Sequence, residues 1–181
     1  MMRTVLFLCV VGVVACESAG SGPAPVAAAE VPVAKVVAAA GAELVPEKLD
    51  VKAQPEIYPV KADGQGLYDQ ALARAKAEKK RVLVTVGGNW CVWCHKLHML
   101  LRGDPALAAR LERSYVELLL DTVAHEAVVA RLAPNPKDGV PYLFVLGPDG
   151  EVLARQETGS LEVGPRHDPA KVLAFLDAQA G

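Results

Sequence analysis

Charge of one sign is the first thing this 181-residue chain lacks. Its 19 Lys and Arg stand against 21 Asp and Glu, a formal net charge of −2. With no basic cluster and only 5% aromatic residues, it carries no electrostatic footprint for nucleic acid. Cysteine is scarce as well: Cys9, Cys16, Cys91 and Cys94 are the whole complement. That leaves at most two disulfides. No internal repeat is visible. The apolar share is high, at 52%, but much of it is Ala and Val in stretches too broken to build a core.

What is present begins at the N-terminus with an export pattern. Arg3 supplies a modest positive charge, and Val5 to Val14 form an apolar run. At about ten residues that run suits a signal h-region and is too short to span a bilayer. It ends in Val13-Val14-Ala15-Cys16, which resembles the lipobox of bacterial lipoproteins. The resemblance implies a signal over residues 1–15, with Cys16 as the lipid-bearing first mature residue. Residues 16–60 follow as a tether rich in Ala, Pro and Val, with Pro23, Pro25, Pro32, Pro46, Pro55 and Pro59. These prolines break helices and favour extended chain. A coil of that length reaches about 35–40 Å.

A folded domain is expected over 61–181. Leu67, Ala71 and Ala75 recur at helical spacing in Gly66 to Lys80. Val82 to Val86 is a continuous apolar, β-branched run, as a strand buried on both faces requires. Cys94, Leu97 and Leu101 share one face of the helix that follows and that ends near Gly103. Asp104-Pro105 and Asp168-Pro169 each read as an N-cap with proline at the first helical position. Between them come a strand from Tyr115 to Leu120, a helix from Ala124 to Ala133 and a loop over Pro134 to Gly139. A hairpin of Tyr142 to Leu146 and Glu151 to Gln156 follows, turning at Gly147-Pro148-Asp149-Gly150. The order predicts an α/β domain with a central sheet.

One stretch carries the chemistry. Trp90-Cys91-Val92-Trp93-Cys94-His95 puts two cysteines two residues apart, directly after the buried strand. That spacing lets the sulfurs close a small disulfide ring at the start of a helix, where the helix end favours the thiolate of the first cysteine. With Cys9 removed and Cys16 blocked, this pair holds the only free thiols. A lone pair in an oxidising compartment is expected to cycle rather than to staple.

Taken in order, the strand, Trp90-Cys91-x-x-Cys94, Gly139-Val140-Pro141, the turn and the last helix resemble the thioredoxin-fold family, across about two-thirds of the chain. The periplasmic branch is the most similar. The resemblance implies a mixed β-sheet flanked by helices, with Cys91 as attacking nucleophile and Cys94 as resolving thiol. It further implies a cis Pro141 facing the cysteines, Trp90 packed beside the site, and a Val140 backbone that pairs with substrate peptide like an added strand. Three departures stand out. Thr85 replaces the buried acid of thioredoxin's strand, Val92-Trp93 replaces Gly-Pro between the cysteines, and Tyr142 follows Pro141 in place of threonine.

Two other chemistries share parts of this pattern. Cys91-Val92-Trp93-Cys94-His95 matches the c-type haem attachment motif, although haem c domains are usually helical around it. Cys91, Cys94, His95 and His98 could be drawn as four metal ligands, but they lie on different strips of one helix, where a tetrahedral site is strained. His95 carries two readings, a thiolate-stabilising cation four residues after Cys91 or a solvated side chain. His98 reads as a surface residue, and His125 and His167 have no partner that sequence identifies.

The expectation is a thiol–disulfide oxidoreductase of the bacterial cell envelope, lipid-anchored at Cys16 and facing the periplasm, with the reductase direction preferred. Its partners are protein thiols and disulfides and an upstream redox protein. It requires no metal or organic cofactor beyond the Cys91–Cys94 disulfide. The alternative is a binding lipoprotein of the same fold without turnover.

Overall fold

The computed structural model describes residues 44–132 and 138–181. The signal, Cys16, most of the tether, Ala133 and the loop residues 134–137 lie outside the described residues. Within them, nine principal elements follow one another: α1 (Gly64–Glu78), β1 (Arg81–Gly87), α2 (Val92–Gly103), α3 (Pro105–Ser114), β2 (Tyr115–Asp121), α4 (Glu126–Leu132), β3 (Tyr142–Leu146), β4 (Val152–Glu157) and, after a short excursion, α5 (Pro169–Ala178). The excursion holds two-residue strands, β5 (Glu162–Val163) and β6 (Arg166–His167), paired antiparallel.

The sheet runs in the order β2-β1-β3-β4. β1 pairs parallel with β2, Val84 opposite Leu118, and antiparallel with β3, Val84 opposite Phe144. The sheet is therefore mixed, and its two central strands, β1 and β3, are buried along nearly their whole length. Strand alternation sorts their side chains into two cores. Val82, Val84, Val86, Tyr142, Phe144 and Leu146 meet Ala71 and Ala75 of α1 and Val128, Val129 and Leu132 of α4. On the other face, Leu83, Leu143 and Val145 meet Leu97, Leu100 and Leu101 of α2, Leu107 and Leu111 of α3, and Val172 and Leu176 of α5. A continuous apolar strand between two helical layers is what the run Val82 to Val86 demands.

Helix starts follow their caps. Asp63 accepts from the Gln65 and Gly66 amides, Asp104 from Ala106 and Leu107, and Asp168 from Ala170 and Lys171. Each such cap is worth about 1 kcal/mol. The Asp63 cap starts α1 at Gly64, two residues before the sequence pattern places it. α4 starts at Glu126 rather than Ala124, because Asp121 Oδ1 takes the Val123 and Ala124 amides into a turn. β4 is set one residue later than expected at both ends.

The packed body also includes chain upstream of Lys61, where the sequence reading starts the domain. Val45 is buried among the α2, α3 and α5 side chains, and Tyr58 is 1% exposed beneath the cysteines. Pro46, Pro55 and Pro59 thus lie in a strap laid across the domain, not in a free coil.

Candidate active site

β1 delivers the chain to the site at Gly87, and Gly88, Asn89 and Trp90 turn it into α2. Cys91 is the N-cap of α2. Its amide donates to the Gly88 carbonyl at 3.0 Å, and its Sγ accepts from the Cys94 amide at 3.0 Å. The first sulfur therefore sits where the unpaired amides and dipole of a helix N-terminus stabilise negative charge. Cys91 and Cys94 are joined in a disulfide, with Cα atoms 5.2 Å apart. Cys91 is 5% exposed and Cys94 1%. The first cysteine is the more accessible of the two.

Val140-Pro141 is a cis peptide bond, and the Val140 carbonyl oxygen lies 3.7 Å from Cys91 Sγ. The sequence-identified pair therefore meets the cysteines across the top of the sheet, 49 residues away in the chain. Thr158, which the sequence pattern did not single out, fixes this segment. It is 3% exposed, and its hydroxyl donates to the Pro141 carbonyl at 2.6 Å.

Asn89 is the second residue the pattern missed. Its side-chain oxygen accepts from the Ile57 and Tyr58 amides at 2.9 and 2.8 Å, and its Nδ2 donates to the Tyr58 carbonyl at 3.0 Å. One asparagine thus pairs with the strap as a neighbouring strand would. No spacing signal marks such a side chain. Only the three-dimensional contact does.

The histidines depart from expectation. His95 is 3% exposed, not solvated, and its Nε2 lies 2.9 Å from the Asn89 carbonyl oxygen. A carbonyl only accepts, so Nε2 carries the proton there. The ring thereby ties the first turn of α2 to the loop that precedes the cysteines. His98 is half-buried rather than on the surface. Burial, followed by the charge of Arg102 and then His95, holds its pKa below the usual histidine value. His125 is buried, with Nδ1 accepting from the Asp121 amide at 2.9 Å. His167 is also buried, and its pKa is pushed down to about 4, by burial first and by Lys96 second.

The tryptophans divide. Trp90 is 62% exposed and its indole lies over Gly88, where any Cβ would strike it. Trp93 packs against the Tyr58, Cys91 and Cys94 cluster and meets His167 edge-on, ring centres 5.3 Å apart. Lys96 Nζ lies 5.0 Å from the Trp93 ring centre and donates to the Glu47 and Pro165 carbonyls at 2.7 and 2.6 Å. Val92 is half-buried at the first position of α2. Thr85 is buried within β1, opposite Leu119 and Leu143, and brings no carboxylate beneath the cysteines. Asp121 is the acid whose charge acts on Tyr58 in the cluster.

Comparisons with known proteins agree with this geometry. A thiol:disulfide interchange protein of Pseudomonas aeruginosa, DsbD 2, is 36% identical over 99 residues, 53% of this chain. The chain spans only 16% of that relative's length. A disulphide isomerase from Xylella fastidiosa Temecula1 superposes with a TM-score of 0.59 at 24% identity, over 70% of this chain and 98% of its own. That likeness confirms the thioredoxin-type mixed sheet flanked by helices. The sequence model of the thioredoxin-like domain matches residues 68–175, from α1 through the cysteines and the cis proline into α5. The chain belongs to the thioredoxin-like domain family.

Proposed function

We propose that the protein is a thiol–disulfide oxidoreductase acting on protein substrates, with Cys91 as nucleophile and Cys94 as resolving thiol. The observation that carries this reading is the disulfide itself. It is placed at the N-cap of α2, against the Val140 carbonyl, with the first sulfur the more accessible. In the reductase direction, the Cys91 thiolate attacks a substrate disulfide and forms a mixed disulfide. Cys94 then attacks Cys91 Sγ, the substrate leaves as a dithiol, and the Cys91–Cys94 bond closes.

The Val140 backbone pairs with the substrate chain beside the cis proline. Exposed Trp90 supplies apolar contact, while Val92, Trp93 and His95 hold the cysteine turn in shape. No metal or organic cofactor enters this cycle. An upstream redox protein returns the pair to the dithiol.

The reductase direction rests on resemblance to the periplasmic branch, which also supports export, and the lipid anchor at Cys16 rests on the lipobox-like Val13-Val14-Ala15-Cys16. Reduction of insulin by wild type and its loss in Cys91→Ser tests the activity, and Cys94→Ser should accumulate a trapped mixed disulfide. Equal behaviour of wild type and Cys91→Ser would favour a binding protein without turnover. Palmitate labelling that survives Cys16→Ser would sink the anchor.

A further inference from the structure

The Tyr58 hydroxyl is a polar group of the cysteine cluster that the proposed mechanism leaves idle. Tyr58 is 1% exposed and packs directly with Cys91 and Cys94. Its backbone is held on both sides by Asn89. The phenol oxygen is buried and, among the described residues, has no hydrogen-bond partner. A Cβ built on Gly87 would collide with that oxygen and would lie 2.5 Å from Cys94 Sγ. The hydroxyl and the resolving sulfur therefore close over the same face of Gly87 and leave no room there for a methyl group.

A buried donor without an acceptor costs free energy, and folded proteins rarely leave one so. In the disulfide, Cys94 Sγ is a weak acceptor with no charge. Opened to a thiolate, the same atom becomes a charged acceptor, for which a hydrogen bond is worth most. Tyr58 is suited to donate. Burial, and then the nearby Asp121 carboxylate, raise its pKa, so that it keeps its proton.

We propose that Tyr58 donates a hydrogen bond to Cys94 when the disulfide is open. This rests on the thiol–disulfide reading of Cys91 and Cys94. In the resolving step the Cys94 thiol first gives its proton to water. The thiolate, held by the Tyr58 hydroxyl, attacks Cys91 Sγ of the mixed disulfide. The Cys91–Cys94 bond forms as the bond to the substrate sulfur breaks. The substrate leaves with the electron pair as a thiolate and takes a proton from water, and Tyr58 keeps its own proton throughout. Among the described residues, the other titratable groups that act on or pack with Tyr58 are Asp121 at the end of β2 and Cys91, while the nearby His95 has its Nε2 held by the Asn89 carbonyl.

Tyr58→Phe keeps the ring and removes only the oxygen. The donated bond stabilises the reduced form, so its loss should shift the equilibrium with glutathione about tenfold toward the disulfide, or about 30 mV to a more negative potential. The pH profile of resolution should move upward, with the mixed disulfide at Cys91 accumulating near neutrality and clearing at higher pH. The oxidised variant should melt no lower than wild type, since the hydroxyl has no partner there. A purely structural Tyr58 predicts the reverse: lower melting in both redox states, with potential and pH profile unmoved. That result overturns the proposal. A Tyr58→Phe shift in potential, alongside a wild type that reduces no protein disulfide, would keep this inference and overturn the functional reading instead.

Discussion

His167 shows how a side chain to which sequence assigns no partner becomes part of the protein's stability. Its ring is 2% exposed, both nitrogens lack hydrogen-bond partners among the described residues, and Trp93 meets it edge-on. An imidazole in such a place must stay neutral, because its cation would lose water and face Lys96. Its folded-state pKa of about 4 lies below the ordinary 6.5. Stability from this residue is complete above pH 6.5. As pH falls, the unfolded chain gains the proton first, so stability drains away down to about pH 4 and changes little below that. The window corresponds to roughly 3 kcal/mol. Urea denaturation of wild type from pH 7.5 to 4 should therefore fall more steeply than that of His167→Leu. Parallel slopes would show that the acid sensitivity lies in other groups. His167 was opaque in the sequence because its neighbours, Trp93, Lys96 and the small β5–β6 hairpin, come together only in the fold. Cys91, Cys94 and Pro141 were legible because their spacing, or the resemblance, already encodes their geometry.

At the scale of elements, sequence was most informative where a local rule acts. The Asp-Pro starts of α3 and α5 obey one, since an aspartate oxygen satisfies the first amides and proline needs none. β1 and β3 obey another, as uninterrupted apolar runs that only a doubly covered sheet position accommodates. The strap before α1 obeys neither. Its prolines exclude a long helix, which agrees with the irregular backbone around the short 3-10 turn at Val51–Ala53, but that does not distinguish a free tether from one laid on a domain. The distinction is made by Asn89, whose three hydrogen bonds to Ile57 and Tyr58 fasten the strap to the cysteine loop. His95 joins the same loop from α2. Asn89→Ala removes the acceptor of two partly buried amides, at a cost of about 2 kcal/mol or more. Hydrogen exchange at the Ile57 and Tyr58 amides should speed by at least tenfold, with exchange in β3 tracking only the global loss. Unchanged protection at those two amides would mean that packing of Tyr58 alone holds the strap.

For the whole molecule, the strap changes what counts as the folding unit. The family match begins at residue 68, and composition shifts near Lys61, yet the core draws side chains from further upstream. Val45 fills a place among α2, α3 and α5, and Tyr58 closes the site from below. Lys96, buried at the middle of α2, is satisfied by the Glu47 carbonyl of the strap and the Pro165 carbonyl beside β6. A buried ammonium deprived of one of these acceptors is costly. A chain of residues 61–181 therefore loses two buried apolar side chains, each worth about 1.5–3 kcal/mol, together with one acceptor of Lys96. Compared with residues 44–181, it should be less stable by several kcal/mol in urea, with an altered Cys91–Cys94 potential because the face of Cys94 that Tyr58 covers is opened to water. Equal midpoints for the two chains would show that residues 61–181 already form the complete unit. An altered potential with equal midpoints would place the strap's contribution in the chemistry of the cysteines alone. Loss of both together is the expected result, because the residue that caps the resolving sulfur is also one that fills the core.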